Sequence, residues 1–259
     1  MHHGVDYEAI ASTYDRRYLN NDYSGVERAV TEFVGQNADA RVLEVGCGTG
    51  HWLEVLRQHA LVVAGVAGLD GSMGMLARAR ARGITGLVRG LAEHLPWMDR
   101  SFDRLFCVNA LHHFRDPQRF VREARRVLRP RGRFMTIALD PHTGLDRWYI
   151  YDYFDPALDI DRRRYPSARQ LQEWMAAAGF VDRVTHEVQH SPARLSALTA
   201  LEGGRLAKGA TSQLALLTDE QYQRGIDRIR GAIESAAARE TSLDLTADLR
   251  LYATCGSAP

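Results

Sequence analysis

The sequence is poor in the residues that mark disulfide scaffolds, zinc ribbons and basic tails. It holds three cysteines in 259 residues, too few and too widely spaced for a disulfide framework or a zinc ribbon. Lysine is nearly missing, because Lys208 stands alone among 33 Lys and Arg residues, and the formal net charge is +1. A chain with so small a net charge has no overall positive electrostatic potential to attract a nucleic acid, so a nucleic-acid partner is not expected.

Long apolar runs are missing too. No run approaches the ~18 consecutive apolar residues that span a bilayer, and residues 1–6 lack the basic stretch and apolar core of a signal peptide. We therefore expect no membrane partner and a cytoplasmic location. The histidines lack metal-ligand spacing, so no metal is expected. The bulk composition, 45% hydrophobic and 25% charged, is that of an ordinary globular protein.

The chain after residue 41 alternates apolar β runs with amphipathic helical stretches. Strands are predicted over 42–45, 62–69, 84–88, 102–108 and 134–139, with helices over 51–59, 72–82 and 117–128 between them. A later helix, 167–178, is followed by strands over 180–188 and 249–255. This rhythm predicts βαβ units, and hence an α/β, Rossmann-like, doubly wound sheet of seven mostly parallel strands.

Three stretches outside this rhythm have helical or mixed patterns. We expect N-terminal cap helices over 1–36, a core over 37–190 and 246–259, and a helical cap insertion over 191–245, with 141–165 as an insertion on the substrate side. Such caps would lie at the carboxyl edge of the sheet, where open α/β sheets bind ligands. The alternation of Tyr149, Tyr151 and Tyr153 fits a strand, an aromatic pocket wall or the packed core of a cap.

The most informative segment is VLEVGCGTG at 42–50, a strand that runs into glycines at alternate positions and then into a helix. Glycine is needed where the chain turns sharply and where a ligand approaches the backbone. The helix N-terminus behind the turn offers free N–H groups to a carboxylate. By itself, the turn also fits a dehydrogenase or a purely structural role.

Two acidic residues narrow these alternatives. Glu44 stands two residues before Gly46, where a carboxylate would repel a pyrophosphate and attract the α-amino group of a methionine moiety. The glycines also lack the third glycine of the dinucleotide pattern. Asp70 follows twenty residues after Gly50, at the tip of the second predicted strand. An acid there can accept hydrogen bonds from both ribose hydroxyls, or it can serve a turn or helix cap.

These motifs are parts of a longer pattern. VLEVGCGTG at 42–50, GLDGSMGML at 68–76, GLAEHLPWMDRSFDRLFCVNALHHF at 90–114 and REARRVLRPRGR at 122–133 together resemble the class I S-adenosylmethionine-dependent methyltransferases. Within that superfamily the similarity is to the small-molecule enzymes that include the ubiquinone and menaquinone methyltransferases. The segment YEAIASTYD at 7–15 is similar to that group's N-terminal helix, and the similarity extends over residues 5–188.

The resemblance implies S-adenosylmethionine as the cofactor and S-adenosylhomocysteine as the product. Gly46, Cys47 and Gly48 would hold the methionine end, which Glu44 would steer. The other positions that it assigns to the cofactor are Asp70 and Gly71 for the ribose, Met73, Leu91, Ala92 and Glu93 around the adenine, Asn109, whose backbone would face the amino group, and Tyr14, which would close over the ligand.

One position departs from that group. Its adenine loop usually reads Gly-Asp-Ala, whereas this chain has Gly90-Leu91-Ala92. Leu91 cannot accept the adenine amino proton, because its side chain has no acceptor atom. Glu93, the Ala92 backbone or water would then take over, or the cofactor would bind less tightly.

His112 and His113 follow the fourth predicted strand, at the position that faces the transferable methyl group in this fold. A histidine there can deprotonate a hydroxyl or an amine as the methyl group moves. In plant-type O-methyltransferases the base lies in a His-x-aromatic segment of similar placement, which favours His112. Alternatively, one of the two histidines packs under the loop.

The sequence thus predicts methyl transfer to an oxygen, nitrogen or activated carbon of a small metabolite, aromatic or natural-product-like in type, by a monomer or a homo-oligomer. A methyltransferase acting on RNA or protein is disfavoured by the neutral charge and the dispersed arginines. Leu91 leaves room for a non-methylating S-adenosylmethionine-binding protein, a cyclase or a regulator. A nicotinamide-dependent oxidoreductase is the least supported alternative.

Overall fold

A computed structural model describes residues 7–12, 14–37, 39–59 and 65–259. These residues form two compact units. The first, here called the sheet unit, takes the described part of Asp6–Asp140 together with Pro166–Gln189 and Leu251–Pro259. The second, here called the helical unit, takes Pro141–Tyr165 and His190–Arg250.

The described strands, in chain order, are β1 (Arg41–Val45), β2 (Gly65–Asp70), β3 (Leu87–Arg89), β4 (Phe102–Val108), β5 (Leu128–Ala138), β6 (Arg147–Trp148), β7 (Val181–Ser196) and β8 (Asp244–Ser257). They form one sheet with the order β3-β2-β1-β4-β5-β8-β6, and β7 pairs with β8. β1 to β5 run parallel to their neighbours among themselves. β8 runs antiparallel to both β5 and β6.

The predicted α/β class and mostly parallel sheet are therefore confirmed, with eight strands rather than seven. The additional strand is β6, two residues long, which lies within the stretch predicted as an insertion and pairs with β8. A pair of residues carries no periodicity, so hydrophobic alternation does not reveal such a strand.

The described helices, in chain order, are α1 (Tyr7–Ile10), α2 (Arg16–Asn20), α3 (Ser24–Val34), α4 (His51–Gln58), α5 (Met73–Ala81), α6 (Pro117–Val127), α7 (Tyr149–Tyr153), α8 (Ala157–Arg164), α9 (Ala168–Ala177), α10 (Ala197–Glu202), α11 (Ser212–Ala215) and α12 (Asp219–Ala237). A single 3-10 turn, Leu111–His113, follows β4. Two helix starts have clear causes in the sequence: Pro117 occupies the first turn of α6, and Thr218 with Gln221 forms the capping box of α12.

Helices cover both faces of the sheet because successive strand residues point to opposite sides. Val42 belongs to a buried cluster with side chains of α3 and α4, whereas Leu43 belongs to a second cluster with side chains of α6 and α9. Each strand can thus be buried at nearly every position, as β1 is. The helix α3, predicted as part of a cap, covers one sheet face through Val26, Val30 and Phe33.

Strand boundaries differ from prediction where glycine or proline interrupts the pattern. β3 begins at Leu87 rather than at 84, since Gly86 adopts φ +69° and a Cβ there would lie 2.5 Å from the Val66 carbonyl oxygen. β5 begins at Leu128, immediately after α6, and passes through Pro130-Arg131-Gly132. β7 continues to Ser196, past the predicted end at 188. Residues 62–64 of the predicted second strand lie outside the described residues.

The helical unit has its own apolar core, built mainly from α7, α8, α10 and α12. Tyr149, Tyr151 and Tyr153 lie on helix α7, so the interpretation of their alternation as a strand is wrong. Tyr149 is buried in this core, and the Tyr151 hydroxyl donates to Asp161 Oδ2 at 2.8 Å. Gly225 on α12 admits the Phe154 ring, which would lie 2.1 Å from a Cβ at that position. No helix among the described residues has both the length and the apolarity to cross a membrane.

Candidate functional site

The site lies where the carboxyl ends of β1, β2 and β4 meet. Parallel pairing in register places the turns after these three strands at one edge of the sheet. The N–H groups of Gly46 and Cys47 both donate to the Leu69 carbonyl, at 2.7 and 3.0 Å, and hold the turn after β1 against the tip of β2. The sequence therefore brings the glycine turn and Asp70 together, as predicted.

The turn needs glycine for two different reasons. At Gly46 (φ +75°) a Cβ would lie 2.4 Å from the Ala110 Cβ, so the turn after β4 leaves no room for a side chain. At Gly48 (φ +52°) the nearest atom to such a Cβ is in the Tyr14 ring, 3.9 Å away. The surface above Gly48 is therefore a backbone cradle that a side chain would fill, with Tyr14 at its rim.

Asp70 joins the two turns. Its Oδ2 accepts the Gly48 N–H at 2.8 Å and its Oδ1 accepts the Ser72 N–H at 2.9 Å. The helix-cap role belongs to Ser72, whose hydroxyl accepts the Met75 N–H at 3.1 Å. Burial raises the pKa of Asp70, and the backbone N–H donors partly oppose that rise. Since each carboxylate oxygen has two lone pairs, acceptor capacity remains for ligand hydroxyls.

Glu44 is a buried acid that lacks full compensation. It is 1% exposed, and its Oε2 has no hydrogen-bond partner among the described residues. Burial, and then the charge of Asp70, raise the pKa of Glu44 well above its usual range. A buried carboxyl without a donor is costly unless a ligand supplies one. An ammonium group would meet that need, because it brings both a positive charge and N–H donors.

The turns after β2 and β3 expose two apolar side chains. Met73 is 43% and Leu91 is 49% exposed, and the Gly90 N–H donates to the Asp70 carbonyl at 3.1 Å, which ties the two turns together. Ala92 and Glu93 are buried. Glu93 Oε1 accepts the N–H groups of Arg115 and Asp116 at 2.6 and 3.1 Å. This oxygen thus holds the loop before α6, which favours the Ala92 backbone or water over Glu93 for the adenine amino group.

The turn after β4 carries Asn109 and the two histidines. Asn109 adopts φ +50°, and its N–H donates to the Ile137 carbonyl at 2.8 Å. His112 is 8% exposed, whereas His113 is half-buried, and their ring centroids are 3.9 Å apart. His113 Nε2 lies 2.5 Å from the Tyr7 hydroxyl. His113 is thus the more accessible of the two histidines, whereas the sequence resemblance favoured His112 as the base.

An N-terminal segment, defined here as residues 7–12 and 14–15, contacts all three turns. The Glu8 carboxylate accepts the N–H groups of Met73 and Gly74 at 2.6 and 2.7 Å, at the start of α5. Asp15 accepts the Thr49 hydroxyl at 2.6 Å and also pairs with Arg82. Sequence reasoning assigned only Tyr14 from this segment. The resemblance of residues 7–15 to the N-terminal helix of that group indicated that this segment matters, but it did not predict the segment's individual contacts.

Comparison with known proteins identifies the family. A profile described as "Methyltransferase domain" matches residues 43–136, which hold the three turns. A Mycolicibacterium smegmatis protein named "Probable S-adenosylmethionine-dependent methyltransferase" is 30% identical over 216 residues, covering 80% of this chain and 79% of that protein. This chain belongs to the class I S-adenosylmethionine-dependent methyltransferases. The predicted family is therefore confirmed.

Other relatives match over shorter spans. The Bacillus subtilis "Uncharacterized methyltransferase YcgJ" is 34% identical over 153 residues, covering 54% of this chain and 55% of the relative. The Thermotoga maritima "Demethylmenaquinone methyltransferase" is 33% identical over 155 residues, with 57% and 66% covered. The chain thus spans little more than half the length of the first relative and 66% of the second. The YcgJ crystal structure has a TM-score of 0.62 at 20% identity, covering 91% of this chain and 98% of that one, which shows the shared fold.

S-adenosylmethionine is the cofactor of this family, and the residues at the three strand tips fit it. The unpartnered Glu44 Oε2 suits its ammonium group, and the bare backbone at Gly48 leaves room for its amino-acid end. Asp70 has the acceptor chemistry that ribose hydroxyls require. Among the described residues, no group of three or more histidine, cysteine, aspartate or glutamate side chains is placed to hold a metal ion.

Proposed function

We propose that this protein transfers the methyl group of S-adenosylmethionine to an oxygen, nitrogen or activated carbon of a small-molecule acceptor. The observation that carries the proposal is the buried carboxyl of Glu44 behind the glycine turn, 1% exposed and with an unpartnered oxygen. The Glu44 carboxyl supports a ligand that carries a positive charge beside a sugar. A dinucleotide does not offer a positive charge at the position behind the glycine turn.

When bound, S-adenosylmethionine supplies an electrophilic methyl group on a positively charged sulfur. The protein's own share is alignment, exclusion of water and proton handling. Glu44 would balance the ammonium group, the Gly46–Gly48 backbone would receive the carboxylate end, and Asp70 would orient the ribose. Alignment of this kind is worth about 7 kcal/mol or more of the barrier.

Acceptor selection is proposed to lie with the helical unit. Its residues, Pro141–Tyr165 and His190–Arg250, fall outside the segment 43–136 that matches the family profile. Segments outside the cofactor-binding part of a fold are where its members acquire different substrates. The T. maritima relative is named for a quinone-type acceptor, demethylmenaquinone, which supports a small-molecule acceptor for this chain.

Isothermal titration with S-adenosylmethionine, S-adenosylhomocysteine and NAD tests the cofactor. We expect heat of binding with the first two and none with NAD; binding of NAD alone would overturn the proposal. Release of S-adenosylhomocysteine is then measured with 4-methylcatechol, benzylamine and menadiol as hydroxyl, amine and carbon acceptors. Tight cofactor binding without release from any acceptor would favour a non-methylating binder, whereas release that requires added RNA would favour a nucleic-acid substrate.

A further inference from the structure

The contact between Tyr7 and His113 joins the N-terminal segment to the turn after β4. Tyr7 Oη lies 2.5 Å from His113 Nε2, and the two rings stand edge to face with centroids 5.1 Å apart. Tyr7 lies on α1, and His113 ends the 3-10 turn after β4. Both residues are half-buried, so neither is sealed into the core.

The surroundings of this pair place it at the glycine turn. Ala110, at the start of the same 3-10 turn, is the residue that closes against Gly46. On the other side, the Tyr7 ring stands 6.1 Å from the Tyr14 ring, which in turn is the nearest group above Gly48. The pair thus lies between residues that stand next to Gly46 and Gly48, the backbone proposed to hold the amino-acid end of the cofactor.

We propose that Tyr7 is a catalytic residue that accepts the acceptor's proton and passes its own to His113. This inference rests on the proposed methyl transfer. The acceptor X–H gives its proton to Tyr7 Oη while Tyr7 Oη gives its proton to His113 Nε2. The X lone pair forms the new bond to the methyl carbon, and the C–S bond breaks with its electrons remaining on sulfur. The positive charge moves from the sulfonium to the imidazolium, so atoms and charge balance.

A tyrosine in this position solves a problem that a histidine alone leaves open. A neutral phenol is a poor base by itself, whereas an imidazole side chain is the stronger proton acceptor of the two. When Tyr7 and His113 are coupled, the methyl acceptor contacts the Tyr7 hydroxyl, and its proton finally rests on the more basic imidazole of His113. Among the described residues, Tyr7 from α1 and His112 from its own turn both face His113, and Tyr14 stands beside Tyr7.

The competing interpretation is that Tyr7 merely fastens the N-terminal segment. Glu8 provides a matched comparison, because its carboxylate fastens the same segment to the start of α5. Tyr18→Phe provides the control for loss of a hydroxyl near the site, since Phe retains the ring that stacks on His51 at 3.6 Å. A fastening role predicts that Tyr7→Phe and Glu8→Gln behave alike.

The first measurement is an NMR titration of the histidine Cε1–H signals in the protein alone. Tyr7→Phe is expected to raise the pKa of His113, because the O–H donor that favours neutral imidazole has been removed, and Tyr18→Phe is expected to leave it unchanged. The second is the pH dependence of S-adenosylhomocysteine release with the probe acceptor that supports turnover. Tyr7→Phe should lower kcat by about 10²-fold or more with little change in KM, and should displace the acid-side fall in rate.

The outcomes separate the two proposals. If Tyr7→Phe, His113→Gln and the double variant all lower kcat by the same factor, the two residues act on one proton path. If the double variant lowers kcat by the product of the two single factors, that path is overturned. Tyr7→Phe with wild-type kcat and an unchanged pH profile, in a wild type that turns over, overturns the catalytic role and leaves methyl transfer intact. A Glu8→Gln variant that reproduces the displaced pH profile would favour fastening. If the wild type releases no S-adenosylhomocysteine with any acceptor, the proposed function fails, and this inference fails with it.

Discussion

Two buried carboxyl groups, one in each unit, differ in how completely the protein compensates them. Asp161 of the helical unit is 0% exposed and accepts hydrogen bonds from Tyr151 (2.8 Å), Gln213 (2.8 Å) and Arg164 (2.5 Å). Glu44 of the sheet unit is 1% exposed, yet one of its oxygens lacks a partner among the described residues. A folded protein tolerates an uncompensated buried acid where a ligand completes it. The comparison therefore separates a carboxyl that stabilises the fold from one that we propose pairs with a positively charged ligand group.

Removal of the compensated carboxyl should have the largest effect. Asp161→Ala leaves the half-buried Arg164 without its counter-charge and frees the donors of Tyr151 and Gln213. Loss of one partner of a buried pair costs about 3–5 kcal/mol of unfolding free energy. Urea denaturation followed by circular dichroism measures it. Asp161→Asn, which keeps an acceptor oxygen, should cost less; equal stability of Asp161→Ala and wild type would contradict the structural role.

Asp70 stands between the two cases, because backbone donors hold it while it still faces the site. Asp70→Ala should weaken S-adenosylmethionine binding by roughly 100-fold, since two hydrogen bonds to a charged group are worth about 3 kcal/mol or more. Isothermal titration gives the affinity. Asp103→Ala is the matched control: Asp103 also accepts a backbone N–H, from Arg41 at 2.9 Å, but it lies at the opposite end of β4. Unchanged affinity in Asp70→Ala would refute the cofactor site as drawn.

Gly48→Ala probes the cradle in front of Glu44. The residue adopts φ +52°, and the left-handed conformation costs alanine about 1–2 kcal/mol. For Gly48→Ala we expect both this loss of stability and weaker cofactor binding, because the new methyl group occupies the surface above the backbone. Thermal unfolding with and without S-adenosylhomocysteine separates the two effects. Gly83→Ala, at φ +78° on the surface next to Arg57, is expected to show the strain without the binding defect.

Glu44→Gln should have the smallest effect on stability and the clearest dependence on pH. Burial raises the pKa of Glu44 in the folded protein, so the folded state binds its proton more tightly than the unfolded state does. Stability of the wild type should therefore fall as pH rises above about 4.3, the usual value for glutamate, and the fall should end at the folded pKa. Glu44→Gln should lose this decline. The groups facing Glu44 are Asp70, Cys47, Cys107 and Tyr18, all present in both proteins.

The same carboxyl predicts a proton signature of binding. An ammonium group beside Glu44 favours the carboxylate, so S-adenosylmethionine should release up to about one proton at a pH where Glu44 is protonated in the free protein. Titration in buffers of different ionisation enthalpy measures the release. Glu44→Gln should release fewer protons and bind more weakly. Identical proton release by the wild type and Glu44→Gln would show that Glu44 does not pair with the ammonium group. Its unpartnered oxygen would then only destabilise the fold.

The prediction from sequence was strongest where a motif imposes a local constraint. The turn at 46–50, the acid at 70 and the strand that precedes each of them appear where the sequence placed them, because glycine conformation and strand burial act over a few residues. It was weaker for Tyr149–Tyr153, whose alternation suggested a strand although the segment is a helix inside an apolar core. Tertiary packing overrode a short-range pattern there.

The sequence by itself determined the family, the parallel sheet and the cofactor that the three strand tips are built to receive. Only the tertiary structure decided which distant side chains meet there. Tyr7 reaches His113 across 106 positions, Glu8 reaches the start of α5 across 65, and Glu93 turns toward the loop before α6 instead of remaining with its own turn. Such contacts depend on how helices settle on the sheet, and no local periodicity encodes that arrangement. The glycine turn follows from the local sequence alone, whereas the contact between Tyr7 and His113 depends on the fold.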